Sequence, residues 1–226
     1  MGRGELLSIN EYYHVYNRGA DKRNIFGDTR DFDRFIEGMK EFNTTRPLGS
    51  LRDNGPISSS RSTGNRSTGN KETRDPLVEI VCFCLNKNHY HLLLRQLVDE
   101  GISKFIQKIA GGYTRYYNEK NRRNGVLFQG KYKFVKIDSN EQLLRVSAYI
   151  NFNNVVHGIH KSQLNLFRSS LDEYIGKNGD SVICRKSIIL EQFKNSSEYE
   201  KFAKDALKHT LTLREKDDPE IYLLLE

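Results

Sequence analysis

Apolar positions recur along this chain at two periods, and the switching between them lays out the elements. Glu11–Arg18 carries Tyr12, Tyr13, Val15 and Tyr16, has strand composition, and is stopped at Asn17-Arg18-Gly19. Asp31–Phe42 predicts a helix, because Phe32, Phe35, Ile36, Met39 and Phe42 recur at helical spacing behind a cap at Asp28 or Thr29. Val78–Leu85 is apolar and rich in β-branched and aromatic residues, which predicts a buried strand, and His89–Gln96 predicts a second. A long helix follows from about Ile102 to Asn121. Its stripe of Ile102, Phe105, Ile106, Ile109, Tyr113, Tyr116 and Tyr117 faces a core, with Lys104, Lys108 and Arg115 largely outside it. Val126–Ile137 alternates apolar and basic residues and predicts one or two strands. Ser139 caps a helix from Glu141 to Val156, which Gly158 ends. This order describes an α+β fold with helices packed on a mainly antiparallel sheet.

Two regions break the pattern. Thr44–Asp75 is rich in Ser, Arg, Gly and Asn and holds a tandem repeat, Arg61–Asn65 then Arg66–Asn70. It carries too little apolar surface to offset the entropy of ordering, so a flexible and largely dispensable insertion is expected. The 161–226 segment reads as a mostly helical extension after a main domain at 1–160. In it, Ser187–Phe193 predicts a short helix, and Ser197-Glu198-Tyr199-Glu200 reads as the capping box of an amphipathic one.

Charge narrows the partner. Lys and Arg total 36 against 29 Asp and Glu, a net charge of +7, which points to a polyanion with nucleic acid first. No apolar stretch approaches membrane-spanning length, and Met1–Leu7 lacks a signal peptide's hydrophobic region, so a cytoplasmic protein is expected. Cys82, Cys84 and Cys184 form no C-x-x-C pair and read as small apolar residues.

The chemistry gathers at Asn88-His89-Tyr90-His91-Leu92. In a strand His89 and His91 share one face, about 7 Å apart, close enough to reach a common cation if another element adds a ligand. Taken alone, H-x-H also describes two surface histidines on a half-exposed strand. The following helix adds weight. Arg145, Tyr149, Asn153 and His157 lie four apart on one face, an odd stripe for a purely structural surface. From beside the histidine strand, such a helix can deliver Asn153 as an oxygen ligand and Tyr149 as a nucleophile. His14, a lone strand histidine, reads as structural unless folding brings it beside His89 and His91.

Tyr13-His14-Val15-Tyr16-Asn17-Arg18-Gly19, the Asn88–Leu92 motif, and Ala148-Tyr149-Ile150-Asn151-Phe152-Asn153-Asn154-Val155-Val156-His157-Gly158 together resemble the single-tyrosine HUH transposases. The resemblance is to the insertion-sequence 200-like group, and especially its REP-associated branch. It runs from Glu11 to Gly158 and continues weakly through Phe167–Tyr174. It implies a ferredoxin-like (RRM-like) antiparallel sheet, the HUH endonuclease fold, and a divalent cation, Mg²⁺ or Mn²⁺. It also implies cleavage of single-stranded DNA near hairpins through a 5′-phosphotyrosine, and a prokaryotic, nucleoid-associated protein acting as a monomer or homodimer. His89 and His91 correspond to the metal pair, Tyr149 to the nucleophile and Asn153 to the third ligand. The sequence departs from the family in the long Thr44–Asp75 insertion and in Asn154, where proline is common. Arg18, Arg122, Arg123, Lys131, Lys133, Lys136 and Arg145 are the candidate DNA contacts. A non-cleaving DNA- or RNA-binding protein on the same fold is the alternative. A zinc hydrolase lacks a carboxylate at a recognisable spacing from the two histidines.

Overall fold

The computed structural model describes residues 7–45, 75–159, 163, 165–177 and 183–216. The expected insertion lies outside these residues except at its ends, where the Thr45 amide donates to the Asp75 carbonyl at 3.0 Å. In chain order the elements are β1 (Tyr12–Arg18), α1 (Thr29–Glu41), β2 (Val78–Asn86), β3 (His89–Gln96), α2 (Gly101–Lys120), β4 (Lys133–Lys136), α3 (Asn140–Asn151), α4 (Asn153–Val156), β5 (Phe167–Ser169), α5 (Leu171–Tyr174), α6 (Ser187–Leu190) and α7 (Ser196–Glu215).

The strands form one antiparallel sheet in the order β4-β1-β3-β2-β5. Its first four strands, with α1 between β1 and β2 and α2 between β3 and β4, make the ferredoxin-like β-α-β-β-α-β unit. A two-residue turn, Lys87-Asn88, joins β2 to β3 and sets Asn86 opposite His89. Register then divides the labour between the sheet's two faces, because side chains alternate along every strand. Tyr13, Val15, Leu92, Leu94 and Tyr90 point one way, where Tyr90 and Phe35 rings meet at 5.4 Å under α1 and α2. His14, Tyr16, His89, His91 and Leu93 point the other way, with Cys82, Cys84 and Asn86 beside them. The first face is an aromatic core. The second carries the histidines.

Helix ends follow local chemistry. Asp28 and Asp31 form a reciprocal capping box at the start of α1, and buried Asp31 also accepts from Tyr116 Oη and Lys120 Nζ. Ser139 caps α3 by accepting from the Gln142 amide at 3.1 Å. The single helix expected from Glu141 to Val156 breaks at Phe152, whose φ of −108° and ψ of 14° separate α3 from α4. Helix α7 starts earlier than its sequence suggests: Asn195, not Ser197, is its cap, accepting from the Glu198 amide at 2.9 Å. Of the one or two strands expected in Val126–Ile137, one forms, β4, and Phe128 makes an isolated bridge to Gly19. Among the described residues no helix is long and apolar enough to cross a membrane.

Helix α7 packs on α3, and the contact includes a buried polar knot. Tyr199 Oη accepts from Asn151 Nδ2 at 2.7 Å and lies 3.3 Å from Ser147 Oγ. On its other side Asn151 Oδ1 accepts from Ser170 Oγ at 2.6 Å, and Ser170 Oγ also accepts from the Phe83 amide of β2. The segment after 160 is thereby hydrogen-bonded to the helix that carries Tyr149. Removing one buried partner strands the others, at about 1–3 kcal/mol. Tyr199→Phe is therefore expected to lower unfolding free energy by about that amount in urea titrations. An unchanged midpoint would contradict this role for the knot.

Candidate active site

The two histidines of β3 and the residues of α3–α4 meet across the second face of the sheet. His89 Nε2 lies 3.2 Å from Asn153 Oδ1. Tyr149 stands edge-on to His91, with ring centroids 5.6 Å apart, and His157 stands 4.5 Å from His89. The break at Phe152 does not separate these groups: Tyr149 leaves from the last turn of α3 and Asn153 from the first residue of α4. Asn154 turns away from the cluster. Its Nδ2 donates to the Ile159 carbonyl and its own carbonyl accepts from the Ile159 amide, closing a turn through Gly158 at φ +72°. The asparagine in proline's place thus closes the end of α4.

The hydrogen bonds fix which atoms face inward. Asn88 Nδ2 reaches the Lys22 carbonyl, so its Oδ1 is an acceptor and must take a proton from His89 Nδ1, 2.6 Å away. That leaves His89 Nε2 with a lone pair, facing the Asn153 oxygen. Asn86 Nδ2 sits between these two acceptors, 2.6 Å from Asn153 Oδ1 and 3.0 Å from His89 Nε2. A donor bridging two lone pairs occupies the electrostatic role that a cation would fill. Asn153 Nδ2 is buried with no hydrogen-bond partner among the described residues. Two imidazole nitrogens and an amide oxygen suit a borderline or hard divalent ion with positions left for water and phosphate. The residues present fit such an ion. Among the described residues no group of three or more His, Cys, Asp or Glu could hold a metal ion, so the fit depends on the Asn153 oxygen beside the two imidazoles.

Burial sets the protonation of the site. Tyr149 is 3% exposed, and burial pushes its phenol well above the ordinary value. Burial also pushes His91 well below its ordinary value, with His14, His89 and His157 adding repulsion. His89 is lowered by burial first, against the pull of the Asn153 oxygen, which favours the protonated imidazole. His157 keeps solvent along its outer edge, yet packing against the cluster lowers it to about 4. All three are neutral at pH 7.

Two further residues of the cluster come from the neighbouring strands β1 and β2. His14, on β1, is fully buried with its Nε2 2.8 Å from His91 Nδ1. Asn86 was readable only through the two-residue turn that puts it across from His89. Around the site the cationic residues part company. Arg18 lies opposite His89 in register, is exposed, and bonds Gln129 Oε1. Lys133 is opposite Tyr16 and sits 6.0 Å over its ring, with exposed Lys131 just before it. Lys136 points to the other face and pairs with Glu11 and Asp138 at 3.7 Å. Arg122 and Arg123 follow α2 on that far side, Arg123 being bonded to Asn118 Oδ1 and the Val126 carbonyl. Arg145 pairs with Glu141 one turn back on α3, outside the cluster.

The fold carrying this site also occurs in a solved structure. The structure of a REP-associated tyrosine transposase bound to a REP hairpin superposes with a TM-score of 0.53 at 12% identity, covering 80% of this chain and 93% of that one. A putative transposase from Deinococcus radiodurans covers 66% of this chain and 94% of its own at 15% identity, with a TM-score of 0.35 that is too low to bear on the fold. No curated protein matches the sequence. Residues 68–153, from before β2 through Asn153, match the family described as "Transposase IS200 like". That match spans less than half of the chain.

The histidine shifts carry a pH dependence. Unfolded imidazoles take up protons below about 6.5 that the folded ones refuse, so stability from their neutral burial is complete above 6.5 and lost as pH falls toward 4. The urea midpoint should hold between pH 8 and 7 and decline from 6.5 to 5, and His157→Asn should make the decline shallower. A midpoint that rises on acidification would contradict the assignment.

Proposed function

We propose that the protein cuts and rejoins single-stranded DNA at hairpins, with Tyr149 as nucleophile and a divalent cation held by His89, His91 and Asn153. The observation that carries this reading is the convergence of Tyr149, Asn153 and both histidines in one buried polar cluster. The hairpin carried by the structural neighbour supports the substrate class.

In the reaction Tyr149 Oη bonds to the scissile phosphorus, the bond from phosphorus to the 3′ oxygen breaks, and that oxygen takes a proton. The phenolic proton passes to solvent. The products are a 5′-phosphotyrosine and a 3′-OH, and the covalent bond conserves the energy for rejoining. A phenol near pKa 10 is ionised to about one part in a thousand at pH 7, a deficit of roughly 4 kcal/mol that burial enlarges. A bound Mg²⁺ or Mn²⁺ would supply the positive charge that polarises the phosphate and favours the phenolate. Arg18, Lys131 and Lys133, exposed at the rim, would take the flanking phosphates, and Tyr16 offers a ring face beside them.

Incubation with hairpin DNA and Mn²⁺ should give a protein–DNA adduct that resists denaturation, with the nucleotide on Tyr149 in the mass spectrum. Tyr149→Phe keeps the ring and should abolish the adduct while DNA binding survives; Tyr116→Phe and Tyr117→Phe should retain it. A nucleotide on another tyrosine overturns the assignment, and DNA binding without any adduct is the outcome of the non-cleaving alternative. Chelator or His89→Ala should likewise stop cutting while leaving most affinity, because phosphate contacts dominate binding. Affinity should fall steeply with salt and favour hairpin over blunt duplex; equal affinity for the two would contradict the proposed substrate.

A further inference from the structure

His14 is not one of the residues assigned a role in the cation site, yet it touches that site at a decisive atom. Its Nε2 is 2.8 Å from His91 Nδ1, and the rings are nearly parallel, 26° apart. The pair is closed in by neighbours. Tyr16 lies 5.1 Å from His14 and 5.7 Å from His91, and Tyr149 stands edge-on to both. Between two neutral imidazoles at this distance one proton is shared, and there are two ways to place it. If His14 donates, His91 accepts at Nδ1 and must carry its own proton at Nε2, where it has no lone pair for a ligand. If His91 donates from Nδ1, its Nε2 is unprotonated and competent. His89 has the second arrangement already, imposed by the Asn88 oxygen at its Nδ1.

We propose that His14 is a positioning residue that accepts the Nδ1 proton of His91 and so holds His91 in the tautomer able to bind a divalent cation through Nε2. The proposal rests on the cation reading given above and deepens it. The β1–β3 register sets the contact: His14 pairs with Leu93, two residues along from the Tyr16–His91 pair, so the two imidazoles overlap diagonally on one face. Both histidines of the H-x-H motif then have their outer nitrogen held by a neighbour, Asn88 for one and His14 for the other. Such outer partners of metal-ligating histidines fix ring orientation and proton position, and their loss typically weakens metal binding 10–100-fold.

The test uses the full chain without DNA and reads two quantities. Long-range ¹⁵N–¹H NMR of the metal-free wild type at pH 7.5 should show His91 protonated at Nδ1 and not at Nε2. Titration with Mn²⁺ alone should then show binding that His14→Leu weakens about 10–100-fold, with His91 shifting toward the Nε2–H tautomer. His14→Gln, whose amide oxygen can accept the same proton, should recover much of the affinity and the Nδ1–H signal. A role in packing alone would lower stability in both variants without moving the tautomer. Nε2–H on His91 in the wild type overturns the proposal, as does Mn²⁺ affinity unchanged in His14→Leu. Nδ1–H on His91 in a wild type that takes up no Mn²⁺ upholds the tautomer assignment and overturns the cation reading instead.

Discussion

Everything at this site depends on a buried seam of polar atoms between the sheet and the helical segment α3–α4. Asn86, His89 and His91 point out of the sheet, and Asn153 comes down from α4 to meet them; each would be costly to bury alone. Mutual hydrogen bonding resolves that cost only when α4 lies where it does. The same constraint fixes Tyr149, because it leaves the chain four residues before Asn153. The seam therefore sets helix position and the placing of Tyr149 together.

Support for the seam comes from both directions. Beneath it, the sheet is held by an aromatic core of Phe26, Phe35, Tyr90 and Tyr113 against α1 and α2, on the face that carries none of the clustered groups. Above it, Tyr199 of α7 and Ser170 hold Asn151, and Arg214 of α7 donates to the Val156 carbonyl of α4. Residues far along the chain thus hold down the helices that carry Tyr149 and Asn153. Cys82 and Cys84 line the same face as small buried groups, and burial pushes the Cys84 thiol up to about 12, so it stays protonated. This face is polar only where the seam needs it.

Much of this was legible in the sequence, and the reasons divide cleanly. Strand alternation puts His89 and His91 on one face whatever the rest of the fold does. Helical spacing brought Tyr149 and Asn153 toward a common side, although the break at Phe152, which no residue type announces, separates them into two helices. Arg145 lies outside the cluster, paired with Glu141 one turn back. His14 depended on strand register, which composition does not encode: a shift of one residue would have turned it to the aromatic core. The three-residue strand β5 is too short for any period to declare itself. At α7 two polar residues compete for the cap, and Asn195 takes it ahead of Ser197.

In the function proposed above, Tyr149 shares its cluster with a cation held by His89, His91 and Asn153 of the same chain. Anomalous diffraction from crystals grown with Mn²⁺ tests it most directly. One strong peak is expected within bonding distance of His89 Nε2, His91 Nε2 and Asn153 Oδ1, with Asn86 Nδ2 withdrawn from between them. A peak bound by other residues, or none at this cluster when Mn²⁺ is saturating, would contradict it.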